Sequence, residues 1–217
     1  MNRRRLFAVL LLLLVALALF FAFRGCRPNY TNFPPTATGP WVAFGDSLTE
    51  GFGAAPGNDY PALLASKLGI PIQNFGKSGD TSGGALQRVD AVAELKPRVV
   101  LLCFGGNDSL QGDPAARTFA NLAQLIDRFH SEGSFVVLIG IRSASLRDRN
   151  SAHFGKLAKE KRVLYVPDML KGLAFKPVYM SDAIHPNDSG YARIADRLEK
   201  VLKPHLNRLK LTSSNGS

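Results

Sequence analysis

From Trp41 onward, short apolar runs alternate with stretches of helical period. Trp41–Phe44, Ile72–Phe75, Val99–Phe104, Phe135–Ile141 and Val163–Val166 are runs of the length expected for strands buried on both faces. Between them, Phe119, Leu122, Leu125, Ile126 and Phe129 fall on one face of a predicted helix. Tyr191, Ile194, Ala195, Leu198, Val201 and Leu202 do the same further on. Strands alternating with helices predict the α/β class. The expected architecture is a single three-layer α/β/α domain around a five-stranded, parallel, flavodoxin-like sheet. Ligands in such a fold bind beyond the carboxyl ends of the strands.

The amino-terminal pattern is different. Leu6–Phe23 is apolar throughout and follows Arg3, Arg4 and Arg5. A helix of that length spans about 27 Å, close to a hydrocarbon core of about 30 Å. A secretory signal has an apolar region of about 7–15 residues and then a small-x-small exit. Here Ala16-Leu17-Ala18 lies inside the run, whose end is Phe20-Phe21-Ala22-Phe23. The expectation is therefore one N-terminal membrane helix through residues 6–23, anchored in an inner membrane. Three arginines before the run against Arg24 and Arg27 after it place the N-terminus in the cytoplasm and the remainder in the periplasm. Cleaved secretion and a lipidated Cys26 are the lesser alternatives. The expected organisation is a signal-anchor over 1–27, a Pro-rich linker over 28–40, one domain over 41–206 and a flexible tail over 207–217.

Composition changes this picture only at the margins. A net charge of +10 suggests an anionic partner, but five of the positives lie in the first 28 residues, which hold no acid. The remainder has an ordinary basic bias, so no nucleic-acid partner is expected. Cys103 sits inside an apolar run and reads as a small buried hydrophobe. No metal-binding spacing occurs, and no cofactor is expected.

Polar residues able to do chemistry cluster at the predicted strand ends. The first strand runs into Gly45-Asp46-Ser47-Leu48, and the second into Lys77-Ser78-Gly79-Asp80. The third runs into Gly105-Gly106-Asn107-Asp108, and Ser181-Asp182-Ala183-Ile184-His185-Pro186 precedes the last helix. A serine becomes a nucleophile when a base takes its proton, and that base needs an acceptor to fix its tautomer. Asp182 and His185, three apart in a turn, can supply both from one loop. The backbone N–H groups of Ser47 and Gly79 and the amide of Asn107 can supply donors for developing negative charge. Asp46, Asp80 and Asp108 are expected to hold backbone amides in their turns. His130, His153 and His205 lack a comparable carboxylate turn and read as surface histidines.

These four blocks, from about Trp41 to His205, resemble the SGNH (GDSL) hydrolases, most closely the bacterial thioesterase I/lysophospholipase branch with its related arylesterases. The resemblance implies a serine hydrolase of carboxylic esters or thioesters working through an acyl-serine intermediate on a small-molecule acyl ester or lipid. In that reading Ser47 attacks, Asp182 orients His185 as base, and Ser47, Gly79 and Asn107 form the oxyanion hole. Deacetylation of a cell-wall or exopolysaccharide sugar is the alternative within the class, and a non-catalytic binding module on the same fold a remote one. Acyl length, head group and oligomeric state stay open. The stretch between Arg142 and Lys161 is short and rich in charge compared with that branch, which leaves the acyl pocket open as well. Two rival motifs fail on spacing. Gly76-Lys77-Ser78 lacks the glycine that a phosphate-binding loop needs at position 71, which is Pro71. Gly51-Phe52-Gly53 would need a third glycine where Pro56 stands.

Overall fold

The structure is a computed structural model and describes residues 12–15, 29–142 and 150–210. Five parallel strands form one sheet in the order β2-β1-β3-β4-β5. They are β1 (Gly39–Gly45), β2 (Ile72–Gly76), β3 (Pro97–Cys103), β4 (Phe135–Ile139) and β5 (Leu164–Val166). Each overlaps one of the runs read from the sequence; β3 and β4, covered on both faces, have no polar side to alternate with, whereas the edge strand β2 exposes Gln73 and Asn74. Every residue of β3 and β4 is buried.

The helices are α1 (Ser47–Glu50), α2 (Tyr60–Leu68), α3 (Ser82–Leu86), α4 (Val89–Ala93) and α5 (Gly106–Leu110). They continue with α6 (Ala115–Ser131), α7 (Asn150–Lys161), α8 (Asp188–Leu202) and α9 (Leu206–Leu209). Successive strand residues point to opposite faces, so two separate cores result. Trp41, Ala43, Val99 and Leu101 pack with the apolar sides of α2 and α8. Val42, Phe44, Val100 and Leu102 pack with α6, where Leu122, Leu125, Ile126 and Phe129 are buried as their spacing predicts. Tyr30 and Phe33, from the Pro-rich stretch before β1, pack against the first core, and their rings meet Phe135. Arg98, a buried residue of β3, donates to the carbonyls of Ala37 and Leu209 and so ties the segment before β1 and the segment after α8 to the sheet. Leu209 is itself buried, while 211–217 lie outside the described residues.

The expected inner-membrane anchor is corrected at this point. Among the described residues no helix is long and apolar enough to cross a membrane. Of the run 6–23 only Leu12–Val15 are described, as one helical turn. Residues 6–11, 16–23 and Cys26 lie outside the described residues.

The strand order reverses between β1 and β3, and at such a switch point the loops leaving the two strands diverge and open a crevice. Ser47 leaves β1 there and Asn107 leaves β3.

Candidate active site

Ser47 opens α1 immediately after β1. Asp46 caps that helix, its Oδ1 accepting the Leu48 N–H at 3.0 Å, and Gly51 closes it in the left-handed region at φ 97°. The short helix packs so closely on β2 that a Cβ at Gly76 would collide with the backbone of Glu50. The Ser47 hydroxyl accepts or donates at 3.0 Å from His185 Nε2, and Nδ1 on the other side of the ring lies 2.7 Å from Asp182 Oδ2. Asp182 Oδ1 accepts the N–H groups of Ile184 at 2.8 Å and His185 at 2.7 Å, which fixes the turn carrying the histidine. The His185 ring rests on Phe52, centroids 4.5 Å apart. Burial pushes the Asp182 carboxyl up, but the bonds from the His185 ring and the two backbone N–H groups outweigh it and bring it down to about 2. Asp182 is therefore ionised at neutral pH.

Asn107 lies in the first turn of α5 and donates one amide hydrogen to the Asp80 carbonyl at 2.8 Å. Gly79 precedes Asp80 with φ 77°, a conformation that side chains with a Cβ rarely adopt. Its loop is bound to α1, since Glu50 Oε2 accepts the Ser78 N–H at 2.6 Å and Lys77 donates to the Gly45 carbonyl at 3.1 Å. Ser47, Asn107 and His185 line one cleft of about 420 Å³. Asp182 stands behind the histidine, and neither it nor Gly79 lines the cleft. The apolar part of the cleft comes from Ile141, Leu170, Ala174, Phe175, Met180 and Ile184. Most of these follow β5, a stretch without regular periodicity that sequence reading passed over. The expected departure between Arg142 and Lys161 falls partly on 143–149, outside the described residues.

Of the three neighbouring aspartates, Asp46 holds an amide in its own turn, as expected. Asp108 holds the Ser82 N–H at 2.9 Å, in a different segment. Asp80 differs, because its carboxylate takes the guanidinium of Arg88 at 2.7 Å. The other histidines stand away from the cleft. His153 is exposed and stacks on Phe119, His205 lies edge-on to Tyr30 and Phe33, and His130 is half-buried on α6. Only His153 is thus the surface residue expected, since His130 and His205 are both half-buried. Among the described residues no group of histidine, cysteine or acidic side chains could hold a metal ion.

Asp46 is almost fully buried, and that burial pushes its carboxyl up to about 7 against the pull of the Leu48 N–H, with the charges of Asp108 and Asp80 adding to the rise. An unfolded aspartate releases its proton near about 3.9. The native form therefore holds a proton that the unfolded chain has lost, and this contribution to stability, complete below about pH 4, disappears as pH rises toward 7. Asp46→Asn keeps an oxygen for the Leu48 N–H. Its melting temperature is expected to gain on the wild type between about pH 4 and 7. Parallel melting curves across that range would show an ionised Asp46.

A hydroxyl, an imidazole and a carboxylate in line at the switch point of a parallel sheet, beside a glycine turn and an asparagine amide, define a serine hydrolase of the SGNH type. Residues 43–193 match the GDSL-like Lipase/Acylhydrolase family, and the chain belongs to it. It is 32% identical over 194 residues to Esterase TesA of Pseudomonas aeruginosa, covering 84% of this chain and 96% of that protein. It is 34% identical over 185 residues to Thioesterase 1/protease 1/lysophospholipase L1 of Escherichia coli K12, covering 81% and 89%. A crystal structure of TesA superposes with a TM-score of 0.72 at 30% identity, over 76% of this chain and 98% of that one. The protein is a serine ester hydrolase.

Proposed function

We propose that the protein cleaves carboxylic esters of medium or long acyl chains through an acyl-serine intermediate. The observation that carries this reading is the unbroken series from Asp182 to His185 to the Ser47 hydroxyl, with that hydroxyl facing an apolar cleft. Ser47 Oγ attacks the ester carbonyl as its proton passes to His185 Nε2, and the ionised Asp182 fixes the tautomer with Nδ1–H and supports the imidazolium. The Ser47 and Gly79 N–H groups and the second amide hydrogen of Asn107 stabilise the oxyanion. Collapse expels the alcohol, or a thiol from a thioester, which takes the proton from His185. Water then attacks the acyl-serine with His185 again as base, releasing the acid and restoring Ser47.

The acyl part belongs against Ile141, Leu170, Phe175 and Ile184, a wall too large and too apolar for an acetyl group to fill. Lysophospholipids and related acyl esters fit this chemistry, and the esterase and lysophospholipase names of the two relatives agree with it. Each methylene buried contributes about 0.8 kcal/mol, or roughly fourfold in kcat/KM. Values of kcat/KM for p-nitrophenyl esters should therefore climb from acetyl toward octanoyl before levelling when the cleft is full. A preference for acetyl, together with release of acetate from an acetylated glycan, would overturn the acyl-chain reading in favour of a sugar O-acetyl esterase.

A further inference from the structure

Arg88 lies between α3 and α4 and takes no part in lining the cleft. Its guanidinium nevertheless reaches three segments that do the chemistry. Nε donates to Asp80 Oδ2 at 2.7 Å, Nη1 to the Phe75 carbonyl at 2.9 Å and Nη2 to the Gly45 carbonyl at 3.0 Å. The guanidinium carbon lies 4.4 Å from the ring centroid of Phe44, which seats the plane from one side. Gly45 is two residues before Ser47, and Phe75 is the last residue but one of β2, the strand leading to the glycine turn. Asp80 directly follows Gly79, and its carbonyl accepts the Asn107 amide at 2.8 Å.

We propose that Arg88 is the positioning residue of the oxyanion hole. One rigid, planar group fixes the spacing of the β1 exit, the Gly79 turn and, through Asp80, the Asn107 amide. The proposal rests on the assignment of Ser47, Gly79 and Asn107 as donors made above. Donors act when held about 2.7–3.1 Å from the developing oxyanion, and displacement of about 1 Å can cost about 10² in rate. The surroundings explain why an arginine stands there. Asp46, Asp80 and Asp108 are all buried in this region, and Arg88 pairs with Asp80 at the point where the glycine turn must be held. A lysine can keep a bond to Asp80 but, as a single ammonium on a flexible stem, cannot also hold two carbonyls of different strands in one plane.

The test is a double-mutant cycle with Arg88→Lys, Asn107→Ala and the double variant, assayed on one acyl ester with melting temperatures recorded for all. Arg88→Lys, folded, is expected to lose about 10¹–10² in kcat with KM within about twofold of wild type, and Asn107→Ala about 10²–10³. Because part of the Arg88 effect runs through the Asn107 amide, the double variant should lose clearly less than the product of the two single losses. Losses that multiply, a wild-type kcat in Arg88→Lys, or a loss confined to KM would each overturn the positioning role. Arg88→Gln, which retains two hydrogen-bonding groups without the charge, gives the same readings should the lysine variant not fold. A fully active Asn107→Ala would instead bring down the donor assignment itself, and the two failures are thereby distinguished.

Discussion

Ser47→Ala is expected to lower ester turnover by about 10⁶, to the residual level left by binding and oxyanion stabilisation alone. The loss should be chemical, with little structural contribution. Asp46, and not Ser47, caps α1, and the hydroxyl of Ser47 makes its hydrogen bond to His185. Alanine at the first helical position keeps the backbone geometry and has high helix propensity. The melting temperature should therefore stay within a few degrees of wild type. His185→Ala should fall as far, and the double variant no further, because nucleophile and base act as one unit and their losses do not add. Mass spectrometry after treatment with a serine-directed phosphonate checks the assignment directly. Wild type should gain one adduct on the peptide containing Ser47, and Ser47→Ala none. A Ser47→Ala protein that kept more than about 1% of wild-type turnover would require another nucleophile.

The layout behind this expectation was largely legible in the sequence, for a reason visible in the sheet. β3 and β4 are buried along their whole length, so β4 and β3 from Val99 on appear as unbroken apolar runs, and the polar residues that end each run mark where the chain leaves the core. Ser47, Asn107 and the Asp182-x-x-His185 turn could be found because chemistry at a parallel sheet is confined to those ends. The Asp182 turn is also local. Its three hydrogen bonds to residues 184 and 185 span at most three positions, which is the range over which a sequence alone predicts geometry.

What the sequence concealed depends on pairing between distant segments. Arg88 sits 43 residues from Gly45 and 13 from Phe75, in a stretch whose composition does not distinguish it from other basic surface positions. Asp80 reads as a turn residue because Asp-Thr-Ser favours turns. That its carboxylate faces a cation eight residues away, across the whole of α3, is not marked by either residue's neighbours in sequence. The apolar wall of the cleft is likewise unmarked. Leu170, Ala174 and Phe175 lie in a loop with neither a helical nor a strand period, so hydrophobic pattern does not identify them as facing a ligand. The N-terminal run shows the converse. Its hydropathy is strong, but pattern alone gave it an anchoring role that no helix among the described residues supports.

Asp182→Asn is expected to cost about 10⁴ in turnover while leaving the loop intact. Asp182 uses Oδ1 for the backbone N–H groups of Ile184 and His185 and Oδ2 for the ring. Asparagine can keep its oxygen on the two backbone groups, and its NH₂ then faces Nδ1 of His185. A donor at that position selects the tautomer with the hydrogen on Nε2, so the ring points a hydrogen at Ser47 and can no longer accept one. The plateau falls for that reason. The carboxylate that asparagine replaces is held at about 2, so the wild-type ring faces an ionised acceptor across the whole assay range. Asp46, at about 7, is a site group that titrates inside that range. Profiles of kcat/KM from about pH 5 to 9 should therefore be recorded in the Asp46→Asn background as well as in the wild-type background. Asp182→Asn should lower the plateau by the same factor in both backgrounds, and a limb lost when Asp46 is replaced belongs to Asp46. An unchanged plateau in Asp182→Asn would separate Asp182 from the base and reopen the choice of acceptor for the His185 ring.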